Sequence, residues 1–170
     1  MAGGYGAATL PGGPRAGFWV RVGARLLDYL LYGLLLLPFV IPGGVLIGSA
    51  YQDCVTIGDE LFCPPGSPDG AMIGAGIALI AVGFLVVMVI YIRALGKSGQ
   101  TWGRKITNIK VVGKNDGVPI GIGRAVGRIL IQMVFGIVPL VPLLDNLWML
   151  WDDDKQTLHD KVVTSVVVKV

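Results

Sequence analysis

Charged residues are scarce in this chain, and their scarcity decides its class. Of the 170 residues, only 15% are charged and 54% are hydrophobic, and the mean hydropathy is +0.71. Soluble proteins carry about 25% charged residues, so this chain has too few polar side chains to cover a water-exposed surface. The composition excludes an ordinary soluble domain and predicts an integral membrane protein.

Residues with catalytic or metal-binding chemistry are also few. The chain has one histidine and two cysteines, and it shows no motif that pairs a nucleophile with a base or gathers ligands for a metal ion. The stretch Gly96–Ser98 matches the end of a phosphate-binding loop, but Tyr91 stands where that motif requires glycine. We therefore expect no enzymatic activity, no metal site and no cofactor.

Two long apolar runs predict transmembrane helices. Leu26–Ile47 contains 22 residues with Asp28 as its single charge, and Ala71–Ile92 contains 22 residues with none. At about 1.5 Å per residue, a helix of this length crosses a hydrocarbon core of about 30 Å. The first run exceeds the apolar part of a signal peptide, which is about 7–15 residues long, so we expect both helices to be retained.

A third apolar run, Ile129–Trp151, is interrupted by Pro139, Pro142 and Asp145. Proline in a helix interior costs about 3 kcal/mol, so two prolines this close together favour a break. We predict a broken or re-entrant helical hairpin over about 121–151 rather than a third full span. Its return would leave the C-terminus on the side of the membrane from which the run enters.

Charge asymmetry predicts the orientation. Segments 1–25 and 93–128 are rich in arginine and lysine, whereas loop 49–70 carries only acidic charges. Short basic segments stay in the cytoplasm, so we expect a cytoplasmic N-terminus, an external loop and a cytoplasmic C-terminus. The net charge of +3 then reflects orientation, and we expect no nucleic-acid partner. Residues 1–17, rich in glycine, alanine and proline, are predicted to be a disordered lead-in.

Two β-branched segments, about 105–112 and 164–170, predict short strands. Because an unpaired strand edge is unfavourable, we expect these strands to pair as a small cytoplasmic β-sheet. The predicted fold is therefore a mainly α-helical, multi-pass membrane protein that carries this sheet. His159 lies just before the second strand, and we interpret it as a hydrogen-bonded structural histidine.

The cysteines, Cys54 and Cys63, both lie in the external loop. An oxidising compartment allows a disulfide, and a short loop containing proline and glycine can close one. We therefore predict a Cys54–Cys63 bond. Two free thiols are the alternative, and the lack of a nearby histidine argues against a metal site.

Several motifs occur in a recognisable order. They are GFWVRVGARLLDYLL (17–31), GQTWGRKITNIKVV (99–112), GIGRAVGRILI (121–131) and DNLWMLWDDDKQTLHDKVV (145–163). Together they resemble the RDD family of bacterial membrane proteins, which is named for one arginine and two aspartates. The resemblance extends from residue 17 to the end of the sequence. It implies an RDD-type membrane domain over 18–170, located in the inner (plasma) membrane.

The resemblance makes Arg25 the family arginine and Asp28 the first family aspartate, while either Asp145 or Asp160 is the second. An ionised carboxylate at membrane depth costs about 2.5–3.5 kcal/mol, so these aspartates need a proton or a basic partner. One interpretation is a proton- or cation-binding carboxylate. The other is a set of arginine–aspartate pairs that hold the helices together. The candidate intramembrane charge cluster comprises Arg25, Asp28, Arg124, Arg128, Asp145 and Asp160.

The resemblance also implies a possible transport role, because transport has been suggested for the family, with cation–proton exchange as the most concrete form. The alternative is a non-catalytic accessory or scaffolding subunit of a larger membrane complex. The few spans of one chain would line only a narrow translocation path. We therefore expect a homo-oligomer or a larger membrane-protein partner in addition to the lipid bilayer. Gly74, Gly76 and Gly83 on the second helix would let another helix approach closely.

Overall fold

The computed structural model describes residues 13–170 and is mainly helical. Helix α1 runs over Phe18–Ser49 and helix α2 over Gly70–Ser98. Each contains one predicted span and extends beyond it, and both are long and apolar enough to cross a membrane. In the most apolar part of each helix only 11% of the residues are buried, whereas the core helix of a soluble protein buries its apolar face. The prediction of two apolar helices of spanning length is confirmed.

The chain forms two compact units. We call Leu30–Ile90 the central unit, and we call the described residues up to Tyr29 together with Tyr91–Val170 the terminal unit. Both long helices contribute to each unit, because α1 and α2 extend across the boundaries.

In the central unit, α1 and α2 approach each other through glycines. A Cβ atom added to Gly76 would lie 2.6 Å from the carbonyl oxygen of Gly43, and one added to Gly83 would lie 2.4 Å from the side chain of Phe39. Gly74, in contrast, faces open space. These contacts correct the expectation that all three α2 glycines serve another helix from outside the chain. Gly76 and Gly83 pack against α1 of the same chain, since only glycine permits so close an approach.

The loop between the long helices contains an antiparallel hairpin, which the sequence-based prediction lacks. Strand β1 (Val55–Ile57) pairs with strand β2 (Glu60–Phe62), and the register places Val55 opposite Phe62. Cys54 and Cys63 are the next residues outward on the two strands, so the pairing brings them together. The structure contains the predicted disulfide between them.

A second antiparallel pair lies in the terminal unit. Strand β3 (Ile109–Gly113) pairs with strand β4 (Ser165–Lys169), and Val111 lies opposite Val167. Both faces of this sheet are buried, because valines that alternate along β4 pack into separate apolar clusters on opposite sides. The two clusters contain, among others, Ala24, Leu95, Val111, Ala125 and Val167 on one side, and Val112, Val166 and Val168 on the other.

The segment before α1 adds to the free edge of β4. The backbone N–H of Ala16 donates to the carbonyl oxygen of Val167 at 2.9 Å, and the N–H of Lys169 donates to the carbonyl oxygen of Pro14 at 2.9 Å. These bonds correct the predicted disordered lead-in at residues 14–16, because a free strand edge offers unpaired backbone groups to a nearby segment. Residues 1–12 of that lead-in lie outside the described residues.

The third apolar run is broken near its prolines. Helix α4 (Gly121–Ile137) ends before Pro139, and helix α5 (Val141–Leu147) begins after Leu140, which has a φ of +72°. Pro142 lies in the first turn of α5, where the missing backbone N–H has no helical acceptor and costs little. The two prolines therefore end one helix and begin the next.

Short elements complete the terminal unit. Helix α3 (Trp102–Ile106) follows α2, and a 3₁₀ helix (Trp148–Leu150) follows α5. Helix α6 (Leu158–Val162) precedes β4. The first turns of α3 and α6 each leave backbone N–H groups without a helical acceptor, and buried aspartates supply those acceptors, as described next.

Candidate functional site

Asp160, on α6, is fully buried and cross-links three helices. Its Oδ1 lies 2.7 Å from Nη2 of Arg128 on α4, and its Oδ2 lies 3.0 Å from Nη1 of Arg21 on α1. It also forms a capping box with Thr157, in which each side chain accepts the backbone N–H of the other residue. Burial raises the pKa of Asp160, but the guanidinium groups of Arg128 and Arg21 outweigh burial and hold the pKa well below its usual range. The low pKa keeps Asp160 ionised at neutral pH.

His159, the neighbouring residue, is held by Asp145 on α5. The imidazole Nδ1–H donates to Oδ2 of Asp145 at 2.5 Å, and the backbone N–H of His159 donates to Oδ1 at 2.9 Å. On the other side of the ring, Nε2 lies 3.0 Å from N–H groups of both Arg128 and Gln132. Two donors can share Nε2 only if it carries a lone pair, so this network assigns the neutral tautomer with the proton on Nδ1.

The electrostatics of the site agree with a neutral His159. Burial lowers the pKa of His159, and the positive charge of Arg128 lowers it further. The hydrogen bond to Asp145 acts in the opposite direction without cancelling these effects. The imidazole thus serves as an uncharged connector between Asp145 and Arg128.

Asp28, on α1, is buried and binds the N-terminus of α3. Its Oδ2 accepts the hydroxyl of Thr101 at 2.5 Å, and its Oδ1 accepts the backbone N–H of Gly103 at 2.8 Å. Within the described residues, no arginine side chain lies within 4.0 Å of this carboxylate. These contacts correct the interpretation that Asp28 is neutralised by an arginine of the candidate cluster. The start of a short helix supplies the donors that the carboxylate needs.

The two remaining arginines of the candidate cluster lie elsewhere. Nη1 of Arg25 donates to Oδ1 of Asn146 at 2.7 Å. Arg124 lies near the surface, where its Nη2 is 3.5 Å from Oδ2 of Asp116 and both side chains are more than two-fifths exposed. The six predicted residues are therefore distributed over separate sites. Arg128, Asp145 and Asp160 meet around His159, and the other three have different partners.

A cavity of about 420 Å³ in the terminal unit adjoins this network. Four arginines line it, namely Arg21, Arg25, Arg104 and Arg128, and its lining within the described residues includes no acidic side chain. The polar lining also includes His159 and Asn146. Much of the remaining wall is apolar, with Phe18, Val22, Leu26, Tyr29, Leu143 and Met149 among its residues.

Arg21 and Arg104 are the important residues that the predicted site lacks. Both are visible in the sequence: Arg21 lies one helical turn before Arg25, and Arg104 lies in the GQTWGRK segment. The spacing of Arg21 and Arg25 indicates a shared helix face, which is a usable signal. The partnership of Arg21 with Asp160 joins residues 139 positions apart, and no local pattern reports a contact over that distance.

Residues 13–170 contain no group of three or more histidine, cysteine, aspartate or glutamate side chains arranged to hold a metal ion. The chemistry that the site does offer is electrostatic. Its buried carboxylates accept hydrogen bonds from donors that the fold fixes in place. The adjoining cavity is lined by guanidinium groups and by no acidic side chain of the described residues.

The sequence model of the RDD family matches residues 15–164. The chain belongs to the RDD family. The match includes all four cavity arginines and the aspartates Asp28, Asp145 and Asp160, so the network described above is built from residues within the family domain.

This RDD protein has mycobacterial relatives. The proline-rich antigen homolog of Mycobacterium tuberculosis is 32% identical over 163 residues, which cover 89% of the present chain and 62% of the relative. The proline-rich antigen of Mycobacterium leprae is 33% identical over 75 residues, which cover 44% of the present chain and 29% of that protein. The chain thus spans less than two thirds of the length of these curated relatives. No solved structure matches it.

Proposed function

We propose that this RDD-family chain is a small, non-catalytic membrane protein that serves as an accessory or scaffolding subunit. One observation carries the proposal: Asp28, Asp145 and Asp160 each accept at least two hydrogen bonds or ion pairs from donors fixed by the fold. A carboxylate that carries protons or cations must exchange its partners during each cycle. Carboxylates that cap helices and cross-link them perform a structural role instead.

Cation–proton exchange, the more specific role implied by the family, is the second candidate. The observation in its favour is the buried contact between Asp145 and His159, since a buried acid–base pair is a common element of proton relays. In this chain both carboxylate oxygens of Asp145 are occupied by groups of one residue. That arrangement favours a clamp over a relay, so we rank exchange below the accessory role.

The proposal includes an orientation in the bacterial inner (plasma) membrane. The N-terminal segment, the basic region 93–128 and the C-terminal strand would all lie in the cytoplasm, with loop 49–70 outside. Two observations support this arrangement. The basic charges favour the cytoplasmic side, and Pro14–Ala16 hydrogen-bond to β4, which requires the two segments to be on one side.

We also propose that the chain works within a larger assembly, either a homo-oligomer or a complex with another membrane protein. Support comes from the apolar side chains that the long helices leave exposed, including Leu34 and Ile41 on α1 and Phe84 and Leu85 on α2. The open face at Gly74 would allow close approach of a further helix. Lipid covers the remaining apolar surface in this proposal.

Reconstitution into lipid vesicles tests the proposal. Purified protein is placed in proteoliposomes, and proton movement is followed with a pH-sensitive dye while Na⁺ or K⁺ gradients are imposed. We expect no flux above that of empty vesicles. Flux that is lost in Asp145→Asn, while Arg124→Gln keeps it and both variants remain folded, would overturn the accessory role and favour exchange.

The mass of the purified assembly tests the second half of the proposal. Light scattering coupled to size-exclusion chromatography, corrected for detergent, measures the protein mass of the complex. We expect a homo-oligomer or a complex with a partner in fixed stoichiometry. A monomer obtained from mild detergent, with no partner protein at any stage, would contradict it.

A further inference from the structure

The arginine-lined cavity of the terminal unit has more positive charge than its surroundings neutralise. Arg21 and Arg128 share the single carboxylate of Asp160. Among the described residues, no carboxylate lies within 4.0 Å of the guanidinium of Arg25 or Arg104, and Asp28 acts on Arg104 only at longer range.

Four guanidiniums thus face three buried carboxylates, those of Asp28, Asp145 and Asp160, which leaves an excess of one positive charge around the cavity. His159 does not change this balance, because it is neutral in the network described above. A concentration of like charges in a partly buried site is unfavourable unless an anion joins it. The charge balance therefore points to an anionic ligand.

Unpartnered donors support the same conclusion. Arg104 is 7% exposed and Arg128 is 3% exposed, and both line the cavity. Within the described residues, Nη1 of Arg104 and Nε of Arg128 are buried without a hydrogen-bond acceptor. Buried donors on charged groups are almost always satisfied in folded proteins, and the acceptor oxygens of a phosphate group suit the planar guanidinium particularly well.

The rest of the cavity indicates what the phosphate is attached to. Leu26, Tyr29 and Leu143 line the cavity and are 63%, 68% and 55% exposed, so they form an apolar rim. Leu26 and Tyr29 lie on α1, in the run predicted to cross the membrane. The volume of about 420 Å³ falls in the range of small-molecule sites, about 300–1,000 Å³, and exceeds the needs of a bare phosphate ion. A phosphate at the arginines with a hydrocarbon chain leaving over the apolar rim fits both parts of the wall.

We propose that this cavity binds the phosphate headgroup of an anionic membrane lipid. Arg25 and Arg104 bind the phosphate oxygens, and the rim residues contact the first part of the acyl chains. Basic pockets beside membrane helices are a known mode of lipid recognition. The inference goes beyond the accessory role and does not depend on it, since lipid binding is measured without any flux.

Binding of defined lipids to the full chain tests the proposal. The protein is purified in detergent and delipidated, and mixed micelles containing phosphatidylglycerol or phosphatidylcholine are added. Native mass spectrometry then counts the retained lipids, and titration of the thermal transition gives an apparent Kd. We expect phosphatidylglycerol to be retained and to bind about tenfold or more tightly than phosphatidylcholine. Equal retention of the two lipids would overturn the proposal.

Matched variants locate the site. Arg25→Gln and Arg104→Gln each remove one guanidinium from the cavity, and we expect each to weaken phosphatidylglycerol binding by about tenfold. Arg124→Gln removes the same charge from the outer side of α4 and should leave the affinity unchanged. If Arg104→Gln does not fold, Arg25→Gln decides, because Arg25 is only partly buried. Equal losses in Arg25→Gln and Arg124→Gln would show general surface attraction and refute the cavity assignment.

A competition experiment distinguishes a lipid headgroup from soluble phosphate as the ligand. Inorganic phosphate at millimolar concentration is added in competition with phosphatidylglycerol. We expect the lipid to remain bound, because its chains contribute contacts with the apolar rim that the free ion lacks. Complete displacement by inorganic phosphate would overturn the lipid assignment and identify a soluble phosphate ligand instead.

Discussion

The carboxylate of Asp145 binds His159 twice, through the imidazole Nδ1–H at 2.5 Å and through the backbone N–H at 2.9 Å. The double contact ties α5 to the first turn of α6 and fixes the orientation of the ring. It also determines what the other side of the ring can do, because Nε2 must then accept hydrogen bonds from Arg128 and Gln132. A contact between two neighbouring helices thus extends to α4.

The pH dependence of stability follows from this arrangement. Burial, and then the charge of Arg128, lower the pKa of His159 below its ordinary value of 6.5. The unfolded chain therefore takes up a proton before the folded chain does when the pH falls below about 6.5. The contribution of His159 to stability should be fully present above that pH and should be lost progressively as the pH falls below it. Thermal unfolding in detergent at a series of pH values measures this decrease.

A histidine variant provides the control for this prediction. The chain has a single histidine, and ordinary carboxylates titrate lower, near pH 4. His159→Gln should lower the Tm at pH 7 and remove the slope between about pH 6.5 and 5. A wild-type Tm that stays constant over that range would contradict the low pKa of His159.

The ion pairs of Asp160 should be important for stability. Asp160→Asn leaves the buried guanidiniums of Arg21 and Arg128 without a carboxylate, and the loss of one member of a buried pair costs about 3–5 kcal/mol. Asp116→Asn is the matched control, because the Asp116–Arg124 pair is 3.5 Å long and largely exposed and should contribute at most about 1 kcal/mol. Urea unfolding in detergent measures both. Equal losses in the two variants would contradict the central position of Asp160.

Large features of the fold could be predicted because they depend on composition and local pattern. Two apolar runs identified α1 and α2, and only 11% of the most apolar part of each helix is buried, unlike the core helix of a soluble protein. The cysteines Cys54 and Cys63 could be paired because both lie in one short loop. The hairpin between them has its own signal, since the turn dipeptide Gly58-Asp59 follows the β-branched triplet 55–57, and Gly58 has a φ of +64°.

The partners of the charged residues could not be predicted in the same way. Arg25 and Asp28 are three residues apart on one helix, a spacing that favours an ion pair. In the structure, Arg25 instead donates a hydrogen bond to Asn146, and Asp28 accepts hydrogen bonds from the start of α3. The reason is that helix starts and amides distant in sequence offer donors and acceptors that no pattern along α1 reveals. Sequence identified which residues carry charge, and tertiary packing determined their partners.

Close helix packing in the central unit leads to a further prediction. Gly76→Ala would place a Cβ atom 2.6 Å from the carbonyl oxygen of Gly43, so α1 and α2 would have to separate. We expect a loss of about 1–3 kcal/mol, as for other overpacked sites. Gly74→Ala on the same helix meets open space and should be neutral or slightly stabilising, because alanine favours helices over glycine. Unfolding of the two variants at the same temperature would contradict the packing of α1 on α2.

The protonation state of His159 tests the structural role of the carboxylate network most directly. A single histidine gives one set of imidazole signals when the protein is labelled with ¹⁵N-histidine, and solid-state NMR in lipid bilayers distinguishes the two neutral tautomers from the imidazolium. We predict the neutral form with the proton on Nδ1 at pH 7, unchanged when Na⁺ or K⁺ gradients are imposed. An imidazolium, a proton on Nε2, or a change of state with the gradient would contradict a fixed network and would favour a proton-carrying pair of Asp145 and His159.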